Sequence, residues 1–255
     1  MRALGTIATV VTGMLVCGPS AYAQDGPSRF LHVVTITVQP GTSQTWADYR
    51  MRVNEAAERV GDRRTQSVIT PVLGGSPNRF RIVTPFNDYS EVESWQGPRA
   101  LLAEAFGAEE AARIAAPVEG IMTAVDITVR QFQPNLSGTP DAVTTGQYLQ
   151  LVTTTVDPSR SSDYVAFVSA VKAAEDRRGI SRQRRTNAMG TSFTYTTSWL
   201  FDSMAGREIP GPGPLLTEDL GEDVAQSILD RANEAVESRT FEIWRFRDDL
   251  GRNPG

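Results

Sequence analysis

The nine residues from Val33, VVTITVQPG, return 118 residues later as LVTTTVDPS, and the likeness does not stop there. Trp46 meets Tyr164, Tyr49 meets Phe167, Val53 meets Val171, Arg59 meets Arg177 and Gly61 meets Gly179 at the same offset. Gly75 and Phe86 then meet Gly190 and Phe201 at 115, and LLAEAFGAEEAARI from Leu101 meets LLTEDLGEDVAQSI at 114. This last offset runs on through Ile127 with Phe241 and Leu136 with Leu250. It changes only between periodic segments, where loops absorb small deletions. The pattern reads as a tandem duplication, so each copy must be a unit that leaves something for the other to complete.

Each copy has the same grammar. A β-branched alternating run opens it, Leu31–Val38 and Leu149–Val156, and Pro40 or Pro158 ends that strand. Ser43 and Ser161 are predicted N-caps, and the apolar residues that follow fall at helical spacing up to Gly61 and Gly179, where a left-handed stop belongs. Two shorter strands come next, Thr65–Thr70 with Arg79–Phe86, and Arg182–Ala188 with Phe193–Phe201. A second helical region, broken at Gly107 and Gly221 and shortened by Pro117 in the first copy, leads to closing strands at Ala124–Phe132 and Arg239–Phe246. The order is β-α-β-β-α-β twice, an α+β class chain of two ferredoxin-like split units. Helices cover one face of each four-stranded sheet, so the expectation is two units packed sheet to sheet as a pseudo-dimer within one chain. The predicted boundaries are residues 24–29 as an extension, 30–134 as the first unit, 135–147 as a linker, 148–248 as the second unit and 249–255 as a tail.

Arg2, an apolar run from Ala3 to Val16 and the sequence AYA at Ala21–Ala23, with small residues at the two positions a signal peptidase reads, form the pattern of a cleaved secretory signal. Cleavage is expected after Ala23, giving a periplasmic or secreted protein with no stable membrane insertion. Cys17 raises a lipoprotein alternative, but Val16 is a poor residue to precede a lipidated cysteine. Cys17 is the only cysteine, so the mature chain has no disulfide and must rely on its core. With 30 acidic against 25 basic side chains the chain is mildly acidic, which argues against a nucleic-acid partner.

The VVTITVQP strand, the helix ending in glycine and the paired LL-E--G helices resemble the dimeric α/β-barrel superfamily, including antibiotic-biosynthesis-type monooxygenases and NIPSNAP-like proteins. The likeness covers nearly all of the mature chain. It implies the barrel fold, and it leaves activity open, because that superfamily hosts oxygenases, isomerases, haem enzymes and binding proteins alike.

The residues constrain the chemistry mostly by subtraction. His32 is the only histidine and lies in a strand, so an axial histidine for haem, a zinc or copper ligand set and a Ser-His-Asp relay all lack their parts. No metal and no cofactor is predicted. The run DRRGISRQRR (Arg177, Arg178, Arg182, Arg184, Arg185) reads as a solvated helix end and guarded strand, with an anion-binding patch as the alternative. His32 is the natural base for a cofactor-independent oxygenase or isomerase. Ligand-binding candidates come from strand faces: Arg81, Asp126, Arg130, Gln150, Tyr195, Glu242 and Trp244. If those faces meet between the sheets they would line a pocket for a small, partly apolar molecule. Three readings stay open, a binding protein, such an enzyme and a ligand-free interaction module, and the oligomeric state beyond the pseudo-dimer is not legible.

Overall fold

The computed structural model describes residues 27–138, 146–188, 193–206 and 210–254. The expected signal segment and part of the expected linker lie outside them. The first unit runs β1 (Phe30–Val38), α1 (Ser43–Arg59), β2 (Ser67–Leu73), β3 (Arg79–Phe86), α2 (Tyr89–Glu93), α3 (Pro98–Phe106), α4 (Ala108–Glu119) and β4 (Met122–Phe132). The second repeats the order with β5 (Tyr148–Val156), α5 (Ser161–Asp176), β6 (Gln183–Asn187), β7 (Phe193–Phe201), α6 (Pro212–Leu220), α7 (Glu222–Ala235) and β8 (Val236–Phe246).

Antiparallel pairing gives β2-β3-β1-β4 in one unit and β6-β7-β5-β8 in the other. The units are also joined at their edges, β2 to β8 and β4 to β6, which closes the eight strands of the described residues into a barrel. Gly74 allows the first of these seams. Its φ is +78°, and an added Cβ would sit 2.1 Å from the Phe241 carbonyl oxygen.

Alternation along each strand sorts side chains into two cores. Leu31, Val33, Ile69, Val83, Leu149, Leu151, Trp244 and Phe246 form an apolar plug drawn from both units inside the barrel. The alternate set faces the helices: Ile36, Val38 and Phe80 meet Trp46 and Ala47 of α1, and Val156 meets Tyr164, Phe167 and Val168 of α5.

Gly61 and Gly179 take the left-handed conformation expected of them, φ 72° and 64°. The capping expectation fails. Ser43 and Ser161 are the first helical residues, and the positions before them, Thr42 and Arg160, make no side-chain cap. The reason in the second unit is a 3-10 turn at Pro158–Arg160, whose own cap is Asp157, accepting from the Ser159 amide at 2.8 Å. Pro117 is accommodated inside α4, which runs 12 residues against 14 in α7.

After its last strand, each unit sends a short arm onto the other. Leu136 is buried among α5 residues, and its carbonyl accepts from Arg184 Nη1 at 2.6 Å. Leu250, fully buried, joins the core under α1, and its carbonyl accepts from Arg50 Nε at 3.2 Å and Asn54 Nδ2 at 3.0 Å. The segments predicted as linker and tail therefore carry core residues of the opposite unit.

Candidate functional site

A cavity of about 720 Å3 lies in the second unit, between the outer face of the sheet and α5. The period-two rule places Gln150, Val152 and Thr154 of β5, Thr197 and Trp199 of β7, and Arg239 and Phe241 of β8 along its floor. Helical spacing of Tyr164, Phe167, Val168 and Val171 makes the roof. Met204, Ala205, Gly211 and Pro212, before and at the start of α6, form one rim.

At the equivalent place in the first unit stand larger, buried side chains. Arg50 stands where the second unit has Val168, Ile36 where it has Thr154, and Trp46 where it has Tyr164. Trp46 stacks on Phe80 with ring centroids 4.0 Å apart, and buried Arg50 bonds Gln66 Oε1 at 2.7 Å besides the Leu250 carbonyl. Tyr164 and Tyr195, the matching pair, sit 4.9 Å apart, and the smaller Val168 and Thr154 leave room beside them. Three side-chain differences between the units thus set the larger residues of the first against the chamber of the second.

The polar groups around the cavity divide into engaged and free. Glu175, fully buried, accepts from Arg182 Nη1 and, at 2.7 Å, from Arg184 Nη2. Arg182 also reaches the Pro210 carbonyl at 3.1 Å and lies 4.8 Å over the Trp199 ring. Those arginines hold the wall together, because a buried ion triad requires every member to be paired. The arginine run read as a solvated helix end is therefore split. Arg177 and Arg178 pair with Asp219 at the surface, while Arg182, Arg184 and Arg185 are buried, the last donating to the Ser28 carbonyl at 2.9 Å.

Trp199 Nε1 and Thr154 Oγ1 are buried without a hydrogen-bond partner among the described residues. Unmade bonds of this kind are rare in folded proteins and mark places where another group belongs. Arg239 is exposed at the cavity edge, with no ion pair among the described residues. The arrangement is a largely apolar chamber with the engaged Arg182 and Arg184 in its wall, two unpartnered inner groups, Trp199 Nε1 and Thr154 Oγ1, and Arg239 at its edge.

The candidate residues fall in three places. Gln150 lines the cavity, and Tyr195 packs behind Tyr164, where burial first and then the Tyr164 phenol raise its pKa. Arg81, Asp126, Arg130, Glu242 and Trp244 face the inside of the barrel instead, since their strand partners Thr35, Leu31, Leu151 and Leu149 do. The large cavity is thus not between the sheets, where the apolar plug fills one end of the barrel. His32 is in the first unit, its ring 5.5 Å from that of Trp95, its pKa lowered by burial and then by the charge of Arg64. It does not line the cavity, and a histidine-ligated haem does not fit there. Sequence reading missed Thr154, Phe167, Val168, Val171, Trp199 and Arg239 as lining residues. The legible signal was the mismatch of Val168 with Arg50 and of Thr154 with Ile36 in the repeat.

No family model and no curated protein matches the chain. Among solved structures, a provisionally assigned monooxygenase from Fusobacterium nucleatum is similar over 90% of this chain and 96% of its own, with TM-score 0.50 and 8% identity. A provisionally assigned monooxygenase from Lactobacillus acidophilus is similar over 89% and 97%, with TM-score 0.49 and 8% identity. An anthrone oxidase-like protein is similar over 86% and 92%, with TM-score 0.49 and 11% identity. The likeness to the Fusobacterium nucleatum protein is one of fold: the chain has the dimeric α/β-barrel architecture, with both sheets supplied by one polypeptide.

Proposed function

We propose that this protein binds a small, largely apolar molecule with an acidic end in the chamber of its second unit. The observation that carries the reading is the orphaned Trp199 Nε1 in an apolar cavity of about 720 Å3, a size in the range of small-molecule sites. The ligand body would lie against Phe167, Val171 and Trp199. One acceptor atom would satisfy the indole N–H, and the acidic group would face Arg239 at the mouth. Duplication in this reading gave one copy the freedom to keep a chamber while the other became a packed support.

Binding is favoured over acid–base catalysis because no histidine, aspartate or glutamate is among the lining residues. Turnover enters as a second reading through the shared fold with the provisionally assigned Fusobacterium nucleatum monooxygenase. There a substrate that supplies its own electrons would need only a dry pocket. We also assign the chain to the exported proteins, on the strength of residues 1–23; intact-mass analysis of the native protein should give a chain beginning at Gln24.

Anilinonaphthalene sulfonate, an aromatic body with one anionic group, is the probe we would use. Titration should show one saturable site per chain, lost in Val168→Trp and weakened about tenfold in Arg239→Ala, where a charge-assisted bond goes. Near-ultraviolet circular dichroism would verify that each variant is folded. Non-saturable binding, or a site untouched by Val168→Trp, would overturn the proposal. Oxygen uptake with bound aromatic substrates separates the enzyme reading from binding alone.

A further inference from the structure

The barrel interior carries charge that the outer cavity does not use. Register places Arg79 and Arg81 on its inner wall opposite Thr37 and Thr35, and Asp126, Thr128 and Arg130 opposite Thr35, Val33 and Leu31. Glu242 and Trp244 face them from the other unit, opposite Leu151 and Leu149. The apolar plug closes one end of this space. Asp126 and Thr240 point inward and are nevertheless exposed, so water enters from the other end.

Buried Glu242 is fully engaged. It pairs with Arg79, with Arg81 at 3.2 Å and with Trp244 Nε1 at 3.2 Å. Both arginines also lie over the Trp244 ring, at 5.0 and 4.2 Å. Arg185, on the same wall, is held by the Ser28 carbonyl and the Phe132 ring. Arg130 has no such partner. Among the described residues it makes no hydrogen bond or ion pair, and its Nη1 is closed off from water. Arg81 Nε and Arg79 Nε are closed off and unpaired as well. Burial, and after it the charges of Arg130 and Arg79, lower the Arg81 pKa, and Asp126 acts against this on both Arg81 and Arg130, so three cations face the two anions Asp126 and Glu242. A guanidinium nitrogen closed off from water with no hydrogen-bond acceptor is unfavourable, even on a half-buried arginine such as Arg130.

We propose that the barrel interior holds a small oxyanion between Arg81 and Arg130, with the Thr35 and Thr128 hydroxyls on the same wall as further donors. Phosphate, sulfate and a free carboxylate share the required chemistry, two or more oxygens for planar N–H forks. The site is separate from the chamber of the second unit and does not depend on it.

Thermal unfolding of the purified chain would be followed at constant ionic strength in chloride, then with phosphate, sulfate or acetate at low millimolar concentration. At least one oxyanion should raise the midpoint by about 4 °C in a saturable way, and the ranking of the three identifies which anion the site prefers. Arg130→Gln should abolish the rise while being no less stable than the parent in chloride, because it removes an unpaired buried charge. Val168→Trp should keep the rise. The proposal is overturned if no oxyanion exceeds chloride, or if Arg130→Gln keeps the full rise, since that is the general salting effect of such ions. Should Arg130→Gln fail to fold, Thr128→Val replaces it, and phosphorus magnetic resonance of the parent with phosphate reads occupancy directly: an unshifted, unbroadened phosphate line contradicts a phosphate site, and the sulfate and acetate arms then decide.

Discussion

At the scale of single residues, the second unit depends on one anion. Glu175 is the carboxylate shared by buried Arg182 and Arg184, so Glu175→Leu leaves two buried cations on the cavity wall with no anion bonded to them. We predict a loss of about 3–5 kcal/mol by urea denaturation, far above the effect of a surface carboxylate. A second prediction concerns His32. Burial, and then Arg64, lowers its pKa below the ordinary 6.5, so the unfolded chain takes up the proton more readily than the folded one. Stability should therefore fall as pH drops through 6.5 toward the lowered value, and His32→Gln, which installs the residue of the second copy, should flatten that part of the profile. A parent and variant with parallel profiles from pH 7 to 5 would contradict it. His32 drew notice in the sequence because it is the only histidine; scarcity says nothing of position, and its strand face belongs to the filled unit. Glu175 gave no such signal, since an acidic pair, Glu175 and Asp176, near the end of an amphipathic helix reads as solvated.

At the scale of elements, strand and helix periods carried through to the structure closely, with β3 and β7 matching their predicted spans. Caps and arms did not. Whether Ser161 caps a helix depends on a 3-10 turn upstream, which is a matter of backbone path rather than residue type. Leu136 and Leu250 are isolated apolar residues beyond the last strands, and no period marks them, yet each is buried in the opposite unit. Leu250→Ala should cost about 2–5 kcal/mol, as for a fully buried leucine, and should unfold both units together. Two separated transitions, with the second unit at its parent midpoint, would show that the arms do not couple the units.

For the whole molecule, the barrel has an inside and an outside that the sequence divides into sets without naming. Period two puts Arg81 with Val83 and Asp126 with Arg130; it does not say which set faces the other unit, because both faces of these strands mix apolar and polar residues. Closure through β2–β8 and β4–β6 decides it, and sends His32 and Gln150 outward to the helices while Arg130 and Trp244 turn inward. The central claim is that the two units differ at equivalent places, Arg50 and Trp46 packing the first where Val168 and Tyr164 border the chamber of the second. Its most direct test is a crystal soaked with a bromine-labelled aromatic carboxylic acid and measured at the bromine edge. The account predicts one anomalous peak, among Val152, Phe167, Val168 and Trp199, and none in the first unit. Peaks in both units, or an empty second chamber at saturating acid, would contradict it.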